Sequence, residues 1–176
     1  MQIRSAETAG FCFGVERAVS LAEQTAKSCA SAATLGPIIH NRHVVERFEA
    51  MGLREIARAE DAQPGQTVVI RAHGIPVGEQ RTLSARGAVT VDATCPFVKK
   101  IHVIAQKAER DGRSLLIIGT PTHPEIIAIA SYSSDAHVFQ SAEALETWLT
   151  ERPDRRDLPF CLVSQTTGTQ KLWESC

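Results

Sequence analysis

The stretch Val89-Thr-Val-Asp-Ala-Thr-Cys-Pro-Phe-Val-Lys-Lys100 constrains this chain more than any other. The β-branched Val89 and Val91 predict a short strand with both facing inward. Pro96 suits the first position of a helix, where the missing N–H has no helical partner. From there Phe97, Val98, Ile101, Ile104, Ala105 and Ala108 recur at a helical period. Cys95 is thus placed between a strand and a helix N-terminus. Free N–H groups and the helix dipole at such a position favour a thiolate, the form that binds metals and attacks electrophiles. A buried structural cysteine is the plain alternative.

The arrangement repeats. Gln2–Glu7 is expected to form a short strand. Gly10-Phe-Cys-Phe-Gly14 then turns into a helix reaching about Lys27, with Val15, Ala18, Val19, Ala22 and Ala26 on one face. An apolar run from Thr34 ends in His40, and Val44, Val45 and Phe48 mark a helix stopped by Gly52. His43 in that helix reads as solvated. Thr67–Arg71 is a strand ending in Ala72-His73-Gly74, followed by a helix from about Pro76 to Arg86. Ser114–Gly119 is apolar throughout, as in a central parallel strand, and ends near His123 and Glu125. Ala136–Phe139 reads as a strand, and Ser141 as the cap of a helix holding Leu145, Trp148 and Leu149. Pro153–Pro159 reads as a polar loop. Phe160–Val163 is the last strand and ends at Thr166.

Six polar clusters therefore follow one another at comparable places: Cys12, His40, His73, Cys95, His123 with Glu125, and Thr166. In open parallel sheets ligands bind beyond the carboxyl ends of the strands, so parallel strands would bring these clusters to one rim. The fold class expected is α/β, with repeated small parallel-sheet lobes flanked by helices. Residues 1–95 form the first lobe and 96–176 the second.

Composition narrows the function. The 176 residues carry a net charge of −1 and 22% charged side chains, with no basic block and no long apolar run. This argues against nucleic acid and against a membrane. The N-terminus has no apolar signal-peptide core, and five cysteines without a CxxC pair fit neither a disulfide framework nor a zinc ribbon. A cytoplasmic, reduced protein is expected. Cys12 and Cys95 are candidates for a shared zinc or iron–sulfur site. Cys29 reads as structural. The histidines and threonines suit an oxyanion, and Glu125, between His123-Pro124 and an apolar helix, suits a proton donor with a raised pKa. Each also has a plainer reading, as a turn histidine or a first-turn helix charge. Asp92 reads as a strand-end residue that positions the Cys95 loop.

Gly10-Phe-Cys-Phe-Gly-Val15, Gly36-Pro-Ile-Ile-His-Asn41, Ala72-His-Gly74, Asp92-Ala-Thr-Cys-Pro-Phe-Val-Lys-Lys-Ile-His102, His123-Pro-Glu125 and Ser164-Gln-Thr-Thr167 together resemble the 4-hydroxy-3-methylbut-2-enyl diphosphate reductase (LytB) family. The resemblance implies three pseudo-symmetric lobes around a 4Fe-4S cluster. It implies reduction of an allylic diphosphate to isopentenyl and dimethylallyl diphosphate in non-mevalonate isoprenoid biosynthesis. It implies an electron donor such as ferredoxin or flavodoxin. Cys12 and Cys95 match cluster ligands. His40, His73 and His123 match residues of the diphosphate pocket, Glu125 the proton donor, and Thr166 a threonine near the substrate hydroxyl. The family's third cysteine, its Ser-Asn diphosphate motif and its third lobe have no match before Cys176, which is not taken as the third ligand. A truncated chain is expected on this basis. An inactive remnant and a thiol- or zinc-binding α/β protein are the alternatives.

Overall fold

The computed structural model describes every residue except Met1, Ser5, Thr8 and Arg152. Among the described residues seven strands form two all-parallel sheets, and helices cover both faces of each.

The first sheet has the order β2-β1-β3-β4. Its strands are β1 (Ala32–Leu35), β2 (Arg54–Ile56), β3 (Thr67–Ile70) and β4 (Val89–Asp92). The register sets Ala32 beside Thr67 and Thr67 beside Val89. Successive side chains of a strand point to opposite faces, and the packing follows that rule. Val69 joins Ala18, Ala22, Val44 and Phe48 on one face, while Val68 and Ile70 join Leu35, Ile75 and Leu83 on the other. The first face is covered by α1 (Phe13–Ser28) and α2 (Arg42–Ala50), the second by α3 (Val77–Ala85). In α1 the buried positions are Gly14, Ala18, Ala22 and Thr25. This narrow stripe of small residues lets the helix lie close to the sheet. Asn41 caps α2, its side-chain oxygen accepting the Val44 N–H at 3.3 Å.

The second sheet has the order β6-β5-β7, from β5 (Ser114–Ile118), β6 (Ala136–Phe139) and β7 (Phe160–Ser164). Every residue of β5 is buried. Leu115 and Ile117 pack under α4 (Pro96–Arg110) and α5 (Pro124–Ala130); Leu116 and Ile118 face Phe139 and Leu145. Leu145 belongs to α6 (Ala142–Glu151), whose start is capped by Ser141 Oγ accepting the Ala144 N–H. A short α7 (Gln170–Ser175) closes the chain.

Four expectations need correction. The described residues between Gln2 and Glu7 form no strand; all of them are exposed, and Ser5 lies outside the description. Val89 does not face inward. Its strand lies at the sheet edge, and the side chain is 56% exposed. Phe97 and Ile104 are not on the buried stripe of α4; Val98, His102, Ala105 and Ala108 are. The loop after α6 contains a 3-10 turn, Pro153–Asp157. Strand β2 escaped sequence reading because Arg54 and Glu55 are exposed and carry no apolar alternation.

Candidate functional site

Five of the six polar clusters lie beyond the carboxyl end of a parallel strand: His40 after β1, His73 after β3, Cys95 after β4, His123 after β5, Thr166 after β7. Cys12 differs, since it precedes α1 with no strand before it among the described residues. Backbone bonds tie neighbouring turns together. Ala72 N–H donates to Ile38 C=O at 3.2 Å, Cys95 N–H to Ala72 C=O at 2.9 Å, and Gln165 N–H to Ile118 C=O at 2.8 Å.

The three histidines meet across the two sheets. The ring centroids of His40 and His73 are 4.7 Å apart, those of His73 and His123 5.3 Å, and those of His40 and His123 6.2 Å. One nitrogen from each lies within 4.8 Å of the others. His40 is exposed and the other two are half-buried. Burial, reinforced by His40, His123 and Arg71, pushes the His73 pKa down to about 4, so the ring is neutral at pH 7. Its Nδ1 is buried without a partner. His123 caps α5, and its Nδ1 accepts the Glu125 N–H at 3.2 Å. A neutral ring that accepts at Nδ1 carries its proton on Nε2. His123 therefore presents an N–H donor toward its surroundings, which suits an anion better than a metal ion.

Glu125 is buried, 1% exposed. Its Oε1 accepts the Thr166 N–H at 2.6 Å and its Oε2 the Thr166 hydroxyl at 2.8 Å. The turn of Thr166 is held by Gln165, whose Oε1 accepts the Thr120 N–H at 3.1 Å.

The two candidate thiols occupy matching places. Cys12 is the N-cap of α1 and Cys95 the N-cap of α4; both are free, and neither side chain caps its helix. Gly14, two residues after Cys12, lies against the second thiol: a Cβ built there would fall 2.5 Å from the Cys95 Sγ. Arg17 on α1 reaches the same turn, donating to Thr94 C=O at 3.2 Å and Asp92 C=O at 3.3 Å. Asp92 accepts the Thr94 N–H at 3.0 Å and also pairs with Lys99. Burial raises its pKa, but those hydrogen bonds outweigh it and the net shift is downward. Cys29, Cys161 and Cys176 pack instead against three separate apolar clusters. His43 is solvated on α2.

Sequence reasoning missed Arg71. Its guanidinium lies against Gly36, where a Cβ would sit 2.7 Å from Nη1, and its Nε donates to Gly74 C=O at 3.3 Å. It places a half-buried cation behind His73. Its position one residue before Ala-His-Gly was the available signal. A cavity of about 600 Å³ lies elsewhere, along Gln80, Arg81, Glu109 and Ser131–Ser134. It holds no convergent set of reactive groups, so the histidine rim is the better candidate despite its openness.

Comparison with known proteins places the chain in a family. The sequence profile of the LytB protein family matches residues 3–176. The chain belongs to the LytB family. Its relatives include the 4-hydroxy-3-methylbut-2-enyl diphosphate reductase of Nitratidesulfovibrio vulgaris (strain Miyazaki F), 45% identical over 95% of this chain and 59% of that protein. The reductase of Clostridioides difficile is 34% identical over 99% of this chain and 62% of the other. A solved structure of (E)-4-hydroxy-3-methyl-but-2-enyl diphosphate reductase, described as the terminal enzyme of the non-mevalonate pathway, superposes with a TM-score of 0.79 at 36% identity, covering 96% of this chain and 59% of that one. The Plasmodium falciparum enzyme gives a TM-score of 0.83 at 25% identity, covering 96% and 52%. This LytB chain thus spans about 60% of the length of such relatives. None of its described helices is long and apolar enough to cross a membrane.

Proposed function

We propose that this LytB chain carries the diphosphate-binding and proton-delivering part of an iron–sulfur reductase. The reaction converts 4-hydroxy-3-methylbut-2-enyl diphosphate to isopentenyl and dimethylallyl diphosphate. One observation carries the reading: three histidines from both sheets converge, and His123 is bonded to the backbone of the buried Glu125. An anion-binding group and an acid are thereby held at a fixed separation.

Residues 1–95 and 96–176 act as two lobes in this reading, and the substrate lies across their shared rim. His40, His73 and His123 bind the diphosphate through ring N–H groups, with the Arg71 cation behind them. The His73 ring, held neutral at pH 7 by burial, donates without adding a positive charge, and a bound polyanion favours its protonation. Thr166 orients Glu125 and lies between the acid and solvent-facing atoms, so it can pass a proton from Glu125 to the departing hydroxyl. Replacing the hydroxyl by hydrogen consumes two electrons and two protons and releases water.

Cys12 and Cys95 would hold the 4Fe-4S cluster. The fit rests on donor chemistry: both thiols are free helix N-caps, and the absent side chain of Gly14 leaves room at the Cys95 sulfur. Thiolates are the usual ligands of such clusters. When bound, the cluster supplies electrons to the allylic carbon. Ferredoxin or flavodoxin is the proposed electron donor, and a reducing cytoplasm the proposed setting for the five free thiols.

The test is anaerobic reconstitution with iron and sulfide, iron counting, and calorimetry with pyrophosphate. Iron uptake should require both Cys12 and Cys95, and pyrophosphate affinity should require His73. Iron uptake unchanged in both serine variants would overturn the cluster assignment. With the other three thiols packed in apolar clusters, iron in this chain should be labile. Stable four-iron loading with turnover would instead make Cys176 the first candidate for a third ligand.

A further inference from the structure

His102 lies on α4 seven residues beyond Cys95 and is only 5% exposed, although the diphosphate-reductase reading gives it no role. Its surroundings connect both halves of the rim. On one side the ring abuts Gly74, the residue after His73. A Cβ on Gly74 would fall 2.5 Å from the His102 Cε1 and 3.4 Å from the Thr94 methyl, next to Cys95. Gly74 has φ +75°, a conformation that favours glycine, and its N–H closes the turn onto Arg71 C=O at 3.0 Å. On the other side the ring stacks on Tyr132, with centroids 4.7 Å apart and planes tilted by 33°. Tyr132 directly follows the cap of α5, the helix that begins at His123 and Glu125. Its hydroxyl accepts from Gln80 Nε2 at 2.8 Å, and Gln80 also reaches Ile75 C=O. Ser131 Oγ, beside it, accepts the Val77 N–H at 3.0 Å.

A single imidazole thus fills the space between the turn that carries His73 and the end of the helix that carries His123. We propose that His102 is a positioning residue: its ring sets the His73 turn against α5 and so fixes the separation of the anion-binding histidines. The functional consequence rests on the diphosphate reading; the positioning itself does not. Asp92, Lys99 and Tyr132 are the polar or charged groups around the ring. Its buried Nε2 has no partner among the described residues, and the ring contacts observed are packing contacts with Gly74 and Tyr132.

The experiment uses the 176-residue chain with His102→Ala and the bulkier His102→Leu. Two readouts separate positioning from plain stability. The first is the set of nuclear Overhauser contacts between the His73 and His123 ring protons. The second is pyrophosphate affinity by calorimetry, in the wild-type and His73→Ala backgrounds. We expect a folded variant to lose the ring contacts and to bind pyrophosphate about tenfold more weakly. In the His73→Ala background the further loss should shrink to about twofold or less, because His102 acts through His73. Either variant, cooperatively folded but with native ring contacts, overturns the proposal whatever its melting temperature. If the wild-type chain does not bind pyrophosphate, the diphosphate reading fails, and the ring contacts still decide the positioning role.

Discussion

The two sheets share one plan and differ at one edge. In each, the first strand lies in the middle, the second pairs on one side and the third on the other, giving β2-β1-β3 and β6-β5-β7. The first sheet continues to β4, which covers β3 and leaves it inward and buried. In the second, β7 is an edge among the described residues, and Phe160, Cys161 and Leu162 are only half-buried. The rim residues follow the same plan. His40 and His123 succeed the middle strands, and His73 and Thr166 succeed the third. Cys95 follows β4, the strand with no described counterpart in the second sheet. Thiols thus come from the first half together with the α4 N-terminus, and the acid comes from the second. Under the proposed function this difference becomes a division of labour, with the β4 end assigned to metal binding and the β5 and β7 ends to proton delivery.

The largest expected effect tests that division directly. Cys95→Ser should abolish iron uptake on reconstitution, while Glu125→Gln should leave iron content unchanged. In a version extended by the third lobe that the family resemblance implies, Glu125→Gln should lower reductase turnover by about 10²-fold or more, with little change in substrate affinity. Normal turnover in that variant would remove Glu125 from its role and dissolve the distinction between the halves.

A second effect concerns stability. Ile117 is fully buried in the middle of the three-stranded sheet. Ile117→Ala should cost about 2–5 kcal/mol in denaturant unfolding. Val69→Ala, in the four-stranded sheet, removes less volume and should cost less. A reversed order would show that the smaller sheet contributes little to the cooperative unit.

Acid titration gives a third. Burial holds both His73 and His102 near pKa 4, below the ordinary value of 6.5. The unfolded chain then binds more protons than the folded chain between these values, so stability falls as pH drops from about 6.5 to 4 and levels off below. The loss should be about 1–3 kcal/mol per ring at most, less for His73, whose edge meets solvent. Pyrophosphate should raise the His73 pKa, seen as proton uptake in calorimetry with buffers of different ionisation enthalpy. The smallest effect is Asn41→Ala, which removes the α2 cap and should cost about 1 kcal/mol.

Much of this was legible in the sequence because it rests on local chemistry. The Cys-Pro pair marks the start of α4, and the unbroken apolar run of β5 marks a strand buried on both faces. Rim positions were legible because a parallel strand hands its next residues to the same edge each time. What stayed hidden depends on partners distant in sequence. Val89 reads as a core valine, and only its place at the sheet edge exposes it. Arg54 and Glu55 in β2 pair through their backbones, which side-chain alternation does not record. The residue type of His102 alone suggests no more than a polar position on an amphipathic helix. Its spacing from Val98 and Ala105 put it on the buried stripe, but the empty space at Gly74 and the ring of Tyr132 come from elsewhere in the chain. The union of His123 with Glu125 was half visible, as adjacency without the hydrogen bond that gives it direction.

Gly14 offers a way to disarm the site without touching a thiol. A single methyl group there would collide with the Cys95 sulfur and evict it from its slot. A chain bearing Gly14→Ala would keep all five cysteines, the same charge and the same helix, since alanine is the better helix former. It would serve as a thiol-matched control in which alkylation chemistry still reports every cysteine while the Cys95 sulfur is displaced. Loss of iron in that protein would locate the defect in the spacing of two sulfurs rather than in the presence of either.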